Sequence, residues 1–264
     1  MTFSLDAVTL GVPEVQAAQQ FYQSTFSPTA DGDGQPVSLD MQGTGHVALQ
    51  ETTALAADAA SDPATSGFRG YAMNVVVDQP TEVETLLNAA VQNGAKVLKR
   101  AKKGLFGGFS GVCQAPDGTV WKLAAPTKKD TGPAANPPKL TETIAILGVA
   151  APSKSKVFFE ALGMTVDRDY GKLFIDFTLS AGVCRLGLME RDALAKDMGV
   201  DKGGSGFQAA VFNHRAESRE EVDRILAAAA QAGGKVTIAA SETQSGYAGH
   251  FTDLDGFLWK VTAA

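Results

Sequence analysis

The 264-residue sequence is poor in the side chains that carry metal, redox and nucleophile chemistry, with two cysteines, three histidines and two tryptophans. Cys113 and Cys184 form no Cys-x-x-Cys pair and are too few for the disulfide framework of a small secreted domain. Each lies in an apolar, strand-like run, so both read as small buried hydrophobes. Basic residues are also scarce, 23 against 29 acidic, for a net charge of -6. Neutralising phosphates needs clustered Lys and Arg, so no nucleic-acid partner is expected. The one basic run, Lys99-Arg100 with Lys102-Lys103, is short, lacks interleaved aromatics and reads as a solvated strand end. No apolar stretch approaches the ~20 residues needed to cross a bilayer, so no membrane partner is expected. Met1 to Val12 has neither a basic n-region nor an apolar h-region; no signal peptide is expected, and a cytoplasmic protein is. No Gly-x-Gly-x-x-Gly leads from a strand into a helix, and no phosphate loop or Gly-x-Ser-x-Gly elbow is present. No cofactor is expected. At 44% apolar and 20% charged residues, the chain is globular, with material for one large domain or two ordinary ones.

What the sequence does contain is a duplication. Leu10-Gly11-Val12, followed by a helical stretch ending in Phe21-Tyr22, returns as Leu147-Gly148-Val149 and Phe158-Phe159. Val83, Leu86, Leu87, Ala90 and Val91 mark one helical face before Gly94-Ala95-Lys96-Val97. Val222, Ile225, Leu226, Ala229 and Ala230 do the same before Gly233-Gly234-Lys235-Val236. Ser110-Gly111-Val112-Cys113, Asp117-Gly118 and Trp121-Lys122-Leu123 answer to Ala248-Gly249-His250-Phe251, Asp255-Gly256 and Trp259-Lys260-Val261. Three matched blocks in order, with nearly constant offset, establish the repeat. Thr81 with Glu84 and Ser218 with Glu221 read as capping boxes opening the matched helices. Prolines, glycine and charge without periodicity make 127–139 a linker between domains at 1–126 and 140–264.

Each half reads as strand, helix and several short strands, run twice. In the first, Leu5 to Val12 is a strand, Pro13 to Phe26 a helix, and Val37 to Asp40 with His46 to Gln50 a hairpin across Gly43 and Gly45. Tyr71 to Val77, the helix Pro80 to Asn93, and strands at Val97-Leu98, Gly108 to Gln114 and Val120 to Ala124 form the second pass. The fold class is α+β, with paired βαβββ units whose curved mixed sheet keeps one face free as a cup. The two domains are expected to pack together as a pseudo-dimer.

"LGV", the helix ending "FY", and the closing "APDGTVWKL" and "DLDGFLWKV" resemble the vicinal oxygen chelate superfamily, which includes glyoxalase, extradiol dioxygenases and bleomycin-resistance proteins. The likeness covers nearly the whole chain in both copies, with Gly107-Gly108-Phe109-Ser110-Gly111 adding to it, and implies two tandem glyoxalase/bleomycin-resistance domains. It also implies metal ligands, His or Glu, at three places in each copy. One lies five residues before the valine of the first block, where this chain has Ala7 and Ile144. Another opens the second pass, at Ala72 and Val211. The third follows the last-strand aromatic, at Lys122 and Lys260. Alanine, isoleucine and valine offer no donor, and an ammonium repels a cation, so no metal site is expected. His46, His214 and His250 fall at none of these positions and read as surface or structural groups, with a site built from His250 and Asp253 as the alternative.

By strand alternation Lys122 and Lys260 face the cup while Trp121 and Trp259 pack under the helices. Each lysine either attracts an anionic or carbonyl-bearing ligand or pairs with a nearby acid. Phe106, Phe109, Tyr247 and Phe251 either line a pocket or belong to the core. The candidate ligand-binding set is therefore Lys122, Lys260, Phe109, Tyr247 and His250. The function expected is metal-free binding of a small, flat or partly apolar molecule in one or both cups, as in sequestering resistance proteins. The alternative is a metal-dependent lyase or dioxygenase with a non-standard site.

Overall fold

Val8, Leu10 and Val12 alternate with Ala7, Thr9 and Gly11, and this alternation of branched apolar with small or polar residues sends one row under helices and the other into a cup. The computed structural model describes residues 3–31, 36–104, 108–179, 183–243 and 246–264. Four βαβββ units follow one another. The first is β1 (Ala7–Val12), α1 (Val15–Phe26), β2 (Thr29–Asp31), β3 (Val37–Asp40) and β4 (His46–Glu51), followed by helix α2 (Thr52–Asp58) and a short strand, β5 (Thr65–Gly67). The second is β6 (Tyr71–Val76), α3 (Pro80–Gln92), β7 (Lys96–Lys103), β8 (Phe109–Gln114) and β9 (Val120–Ala125). The third repeats the first as β10 (Glu142–Val149), α4 (Pro152–Ala161), β11 (Val166–Asp169), β12 (Ile175–Phe177) and β13 (Arg185–Glu190), with α5 (Arg191–Met198) and β14 (Gly204–Gly206) after it. The fourth is β15 (Ala210–Arg215), α6 (Arg219–Gln231), β16 (Lys235–Thr243), β17 (Gly246–Thr252) and β18 (Leu258–Ala263).

Two eight-stranded mixed sheets result, and each takes one unit from each half of the sequence. The order in one is β16-β17-β18-β15-β1-β4-β3-β2, joining the first unit to the fourth. In the other it is β11-β12-β13-β10-β6-β9-β8-β7, joining the third to the second. The seams are antiparallel, with Ala7 opposite Asn213 and Ile144 opposite Asn74. The repeat alone does not specify this exchange. Strands β5 and β14 form a separate two-stranded ribbon that also links the halves.

The helix-side faces of both sheets share one continuous core, in which Trp121 and Trp259 are fully buried. Tyr71 of one sheet meets Phe212 of the other edge-on, with ring centroids 5.9 Å apart, a geometry that favours opposed ring quadrupoles. Both indoles find acceptors, as buried N–H groups require. Trp121 donates to the Tyr22 hydroxyl, which donates to Asp117 at 2.6 Å. Trp259 donates directly to Asp253, because Phe159 stands where the first copy has Tyr22. Cys113 and Cys184 are buried and free, and burial pushes both thiols up to about 12.

The capping pattern holds in one helix and not in the other. Ser218 accepts from the Glu221 backbone N–H, and Glu221 reaches back to the amide of Glu217. In α3 the N-cap is Gln79, not Thr81, and Pro80 opens the helix. Glu82, not Glu84, reaches back to the Asp78 amide. Thr81 instead donates to Asp130 of the linker, while Gln79 and Glu82 accept linker amides from Thr131, Gly132 and Ala135. The first box is displaced by two residues because its side chains anchor the connection between the halves.

Since each sheet is closed across its middle by strands from opposite halves, residues 1–126 alone lack a partner for β1 and β6. That fragment is expected to be unfolded or dimeric, with no folded monomer, in light scattering combined with circular dichroism. A cooperative, folded monomer would contradict the exchanged pairing.

Candidate functional site

The cups have the same strands but different contents. In the sheet built from the second and third units, α5 lies across the cup and sends Leu194, Ala195 and Met198 into a cluster with Phe68, Ala72, Val112, Val120, Ile144 and Ile146. The Phe174 ring covers Gly187, whose Cβ position would lie 2.9 Å from it. Lys122 donates to Asp197 of the same helix at 2.7 Å, which adds one charge-assisted bond across the plug. This cup is a second core. Of the two readings of Lys122, pairing with an acid is the one the geometry supports.

The cup between the first and fourth units is only partly covered. Helix α2 packs Leu55, Ala56 and Ala59 against Phe207, Ala209, Val211 and Leu258, at the seam. Beside it lies a cavity of about 860 Å³ whose lining includes Gln50, Glu51, Asp58, Ile238, His250 and Lys260. Substitutions between the copies explain the difference. Asp58 occupies the place of Asp197, but it accepts from Gln50 at 2.7 Å, and the residue matched to Gln50 in the closed cup is the apolar Met189. Lys260 therefore has no hydrogen bond or ion pair among the described residues. Where the closed cup has Val112, the open one has His250, and where it has Phe174, the open one has Pro36.

His250 and Lys260 face each other directly across the β17–β18 ladder, which brings their Cβ atoms to about 5 Å on the same face. His250 is 7% exposed, and its Nδ1 has no partner among the described residues. Burial, reinforced by the neighbouring ammonium of Lys260, holds the imidazole down at about 4, with Asp58 opposing weakly. Near pH 7 the site thus offers a neutral ring that can donate or accept a hydrogen bond, beside a fixed positive charge with three free donors. Glu14, Glu51 and Asp58 place carboxylates along the cavity lining.

Several expected site residues lie elsewhere. Phe109 belongs to the helix-side core, as the Gly111 Cβ position, two residues on, meets Leu87 of α3. Tyr247 also faces the helices: its hydroxyl donates to Asp223 of α6 and Arg219 lies 5.7 Å from its ring. Phe251 stacks on Trp259 in the core, and Phe106 and Gly107 lie outside the described residues. His214 is buried against Phe3 and hydrogen-bonds through Nδ1 with Ser4, with Asp6 at 3.2 Å, a structural role. His250 and Asp253 do not make a joint site. Asp253 turns to the opposite face, where it accepts from the amides of Asp255 and Phe257 and from Trp259.

The metal positions implied by the resemblance also divide between the cups: Ala7, Val211 and Lys260 share the open one, Ala72, Ile144 and Lys122 the closed one. Neither trio supplies a carboxylate or imidazole, so these residues do not fit a divalent ion. Among the described residues no three His, Cys, Asp or Glu side chains are grouped to hold one. No helix is long and apolar enough to cross a membrane.

The chain belongs to the Glyoxalase/Bleomycin resistance protein/Dioxygenase superfamily, whose family model matches residues 4–123 and again 142–261. No curated protein matches the sequence. Among solved structures the chain is similar to glyoxalase I from Zea mays, with TM-score 0.66 and 16% identity over 99% of this chain and 92% of that one. It is also similar to a Bacillus subtilis protein provisionally called a dioxygenase, with TM-score 0.65 and 12% identity over 99% of this chain and 85% of that one. At such identities the likeness establishes the shared fold.

Two outcomes follow from this geometry. Lys122→Glu alone is expected to bind no zinc or nickel tightly, because Ala72 and Ile144 still offer no donor; a chelator competition showing stoichiometric uptake would refute it. In a proton NMR titration His250 is expected to stay neutral down to about pH 4. Lys260→Met removes the repelling charge and should move that midpoint upward toward the usual ~6.5 of histidine. A midpoint that does not rise would show that Lys260 does not act on the ring.

Proposed function

We propose that this protein is a metal-free binder of a small, flat or partly apolar molecule, held in the open cup between the first and fourth units. The observation that carries this is the cross-strand pair of His250 and Lys260, both left without partners, in a cavity of about 860 Å³. A buried imidazole nitrogen without a partner is costly, and a ligand bearing a carbonyl, phenol or carboxyl would offset that cost while meeting the ammonium of Lys260. The apolar part of the ligand would rest on Ile238, Ala54 and Val15. Binding without chemistry suits sequestration, and we assign that role rather than a lyase or dioxygenase one, since neither metal trio supplies a donor.

The test is a thermal-shift screen of planar aromatic phenols and carboxylic acids, each measured with and without EDTA. A saturable rise in melting temperature that survives chelation is expected, since a ligand selective for the folded state stabilises it by mass action. Lys260→Ala and His250→Ala should each weaken that binding by about tenfold, the size of losing one charge-assisted or buried hydrogen bond. Binding that EDTA abolishes, together with a stoichiometric divalent ion in the purified protein, would establish the metal-dependent reading instead.

A further inference from the structure

Away from both cups, beside the β5–β14 ribbon, lies a smaller pocket of about 300 Å³ lined by Phe68, Arg69, Tyr71, Thr119, Val120 and Asp201, among others. Three buried polar atoms here have no hydrogen-bond partner among the described residues: Arg69 Nη1, Tyr71 Oη and Thr119 Oγ1. Tyr71 and Thr119 are 2% and 1% exposed, so neither reaches bulk water. Burial, with the charge of Asp117 behind it, raises the Tyr71 hydroxyl above its usual range, while Arg69 and Thr119 converge on it and oppose that rise without completing a well-formed hydrogen bond. Guanidinium nitrogens only donate, and both hydroxyls are free to donate. Three donors lining one pocket call for a ligand rich in acceptors.

Charge and symmetry sharpen this. Arg69 is anchored by its other nitrogen to the Asp117 backbone carbonyl, 2.7 Å away, rather than to any carboxylate. It also lines an adjoining pocket of about 200 Å³ with Arg191, Ser205 and Gln208. Arg191 is spent on the Phe68 carbonyl and ring, and neither arginine has an ion-pair partner among the described residues. Two acids stand nearby, and both are engaged by other donors. Asp117 accepts from Tyr22 and from the Thr119 amide, and Asp201 from the Gly203 amide. The duplicated half has Gln208, Ala210 and Phe257 at the matched places, the last two fully buried apolar groups. A fold that fills this position with hydrophobes in one copy keeps three unsatisfied donors in the other.

We propose that Arg69, Tyr71 and Thr119 form a second binding site, for a small oxyanion of the carboxylate or phosphate type, independent of the cup. The guanidinium supplies charge and one donor, and the two hydroxyls complete the oxygen's coordination.

The test is isothermal titration calorimetry of the full chain with inorganic phosphate and, separately, with acetate, at ionic strength fixed by chloride. Saturable binding of at least one is expected, and the stronger of the two identifies the anion. Arg69→Gln, which installs the residue of the matched position, should weaken it by at least about tenfold, as expected for a lost charge-assisted bond. Tyr71→Phe and Thr119→Val should each weaken it by about three- to tenfold, and they carry the test if Arg69→Gln melts early. Lys260→Ala should leave it unchanged, which separates this site from the cup. No saturable heat with either anion, or binding indifferent to all three substitutions, would overturn the proposal. So would Tyr71→Phe and Thr119→Val proteins that melt higher than wild type with no response to either anion, the mark of a merely hydrated hole.

Discussion

The structure depends on the two antiparallel seams, β1 with β15 and β10 with β6. A single βαβββ unit has one sheet edge that must be covered, and here each unit covers it with a unit from the other half of the chain. The consequence is that neither cup belongs to one half. Gln50 and Asp58 come from near the start of the sequence, His250 and Lys260 from near its end, yet they line one cavity. The linker makes the exchange tractable: Gln79 and Glu82 hold its amides, so the closure is reinforced where the halves join.

With the helix-side face fixed by large buried groups such as Trp121, Trp259 and Phe212, the concave face was free to diverge. One cup used that freedom to make more core. Burying side chains such as Leu194 and Met198 stabilises the fold by roughly 1.5–3 kcal/mol each, and the Lys122–Asp197 pair is tolerated at its edge. The other cup has a shorter helix, has Gln50 in place of Met189 and His250 in place of Val112, and loses the pairing that would neutralise Lys260. The closed cup became core, while the open one kept His250 Nδ1 and the Lys260 ammonium without partners among the described residues. Such a division needs no common ancestor in function, only two copies under one shared core.

The sequence made the repeat, the order of strands and helices, and the inward direction of the two lysines legible, because alternation and helical spacing are local signals. It also showed that the implied metal positions lack donors. The exchange of units was not legible, since the partners in each seam are far apart in the chain and both pairings satisfy the same local pattern. Helices α2 and α5 were missed for a related reason. At seven and eight residues they are too short to show periodicity, and their stability comes from packing into the cups rather than from propensity. Phe109 and Tyr247 were within reach. If Trp121 packs under the helices, its direct partner Cys113 does too, and Phe109, four residues earlier, must share that face. The same count from Trp259 through Phe251 puts Tyr247 with the helices and His250 with Lys260.

The replacement of a carboxylate by lysine changes what the cup can recognise. A divalent ion imposes fixed bond directions on its ligand, whereas an ammonium is a compact charge on a flexible stem and imposes none. Orientation would then come from the rigid parts of the cavity: the imidazole of His250, held by burial on β17 between two paired strands, and the apolar side chains around it. The acids on the lining limit charge as well. Glu14, Glu51 and Asp58 would repel a multiply charged anion, while one negative group beside Lys260 is compensated. On the proposed reading, the cup would select molecules with a single acidic or carbonyl group on a flat apolar frame, through shape and charge balance rather than coordination.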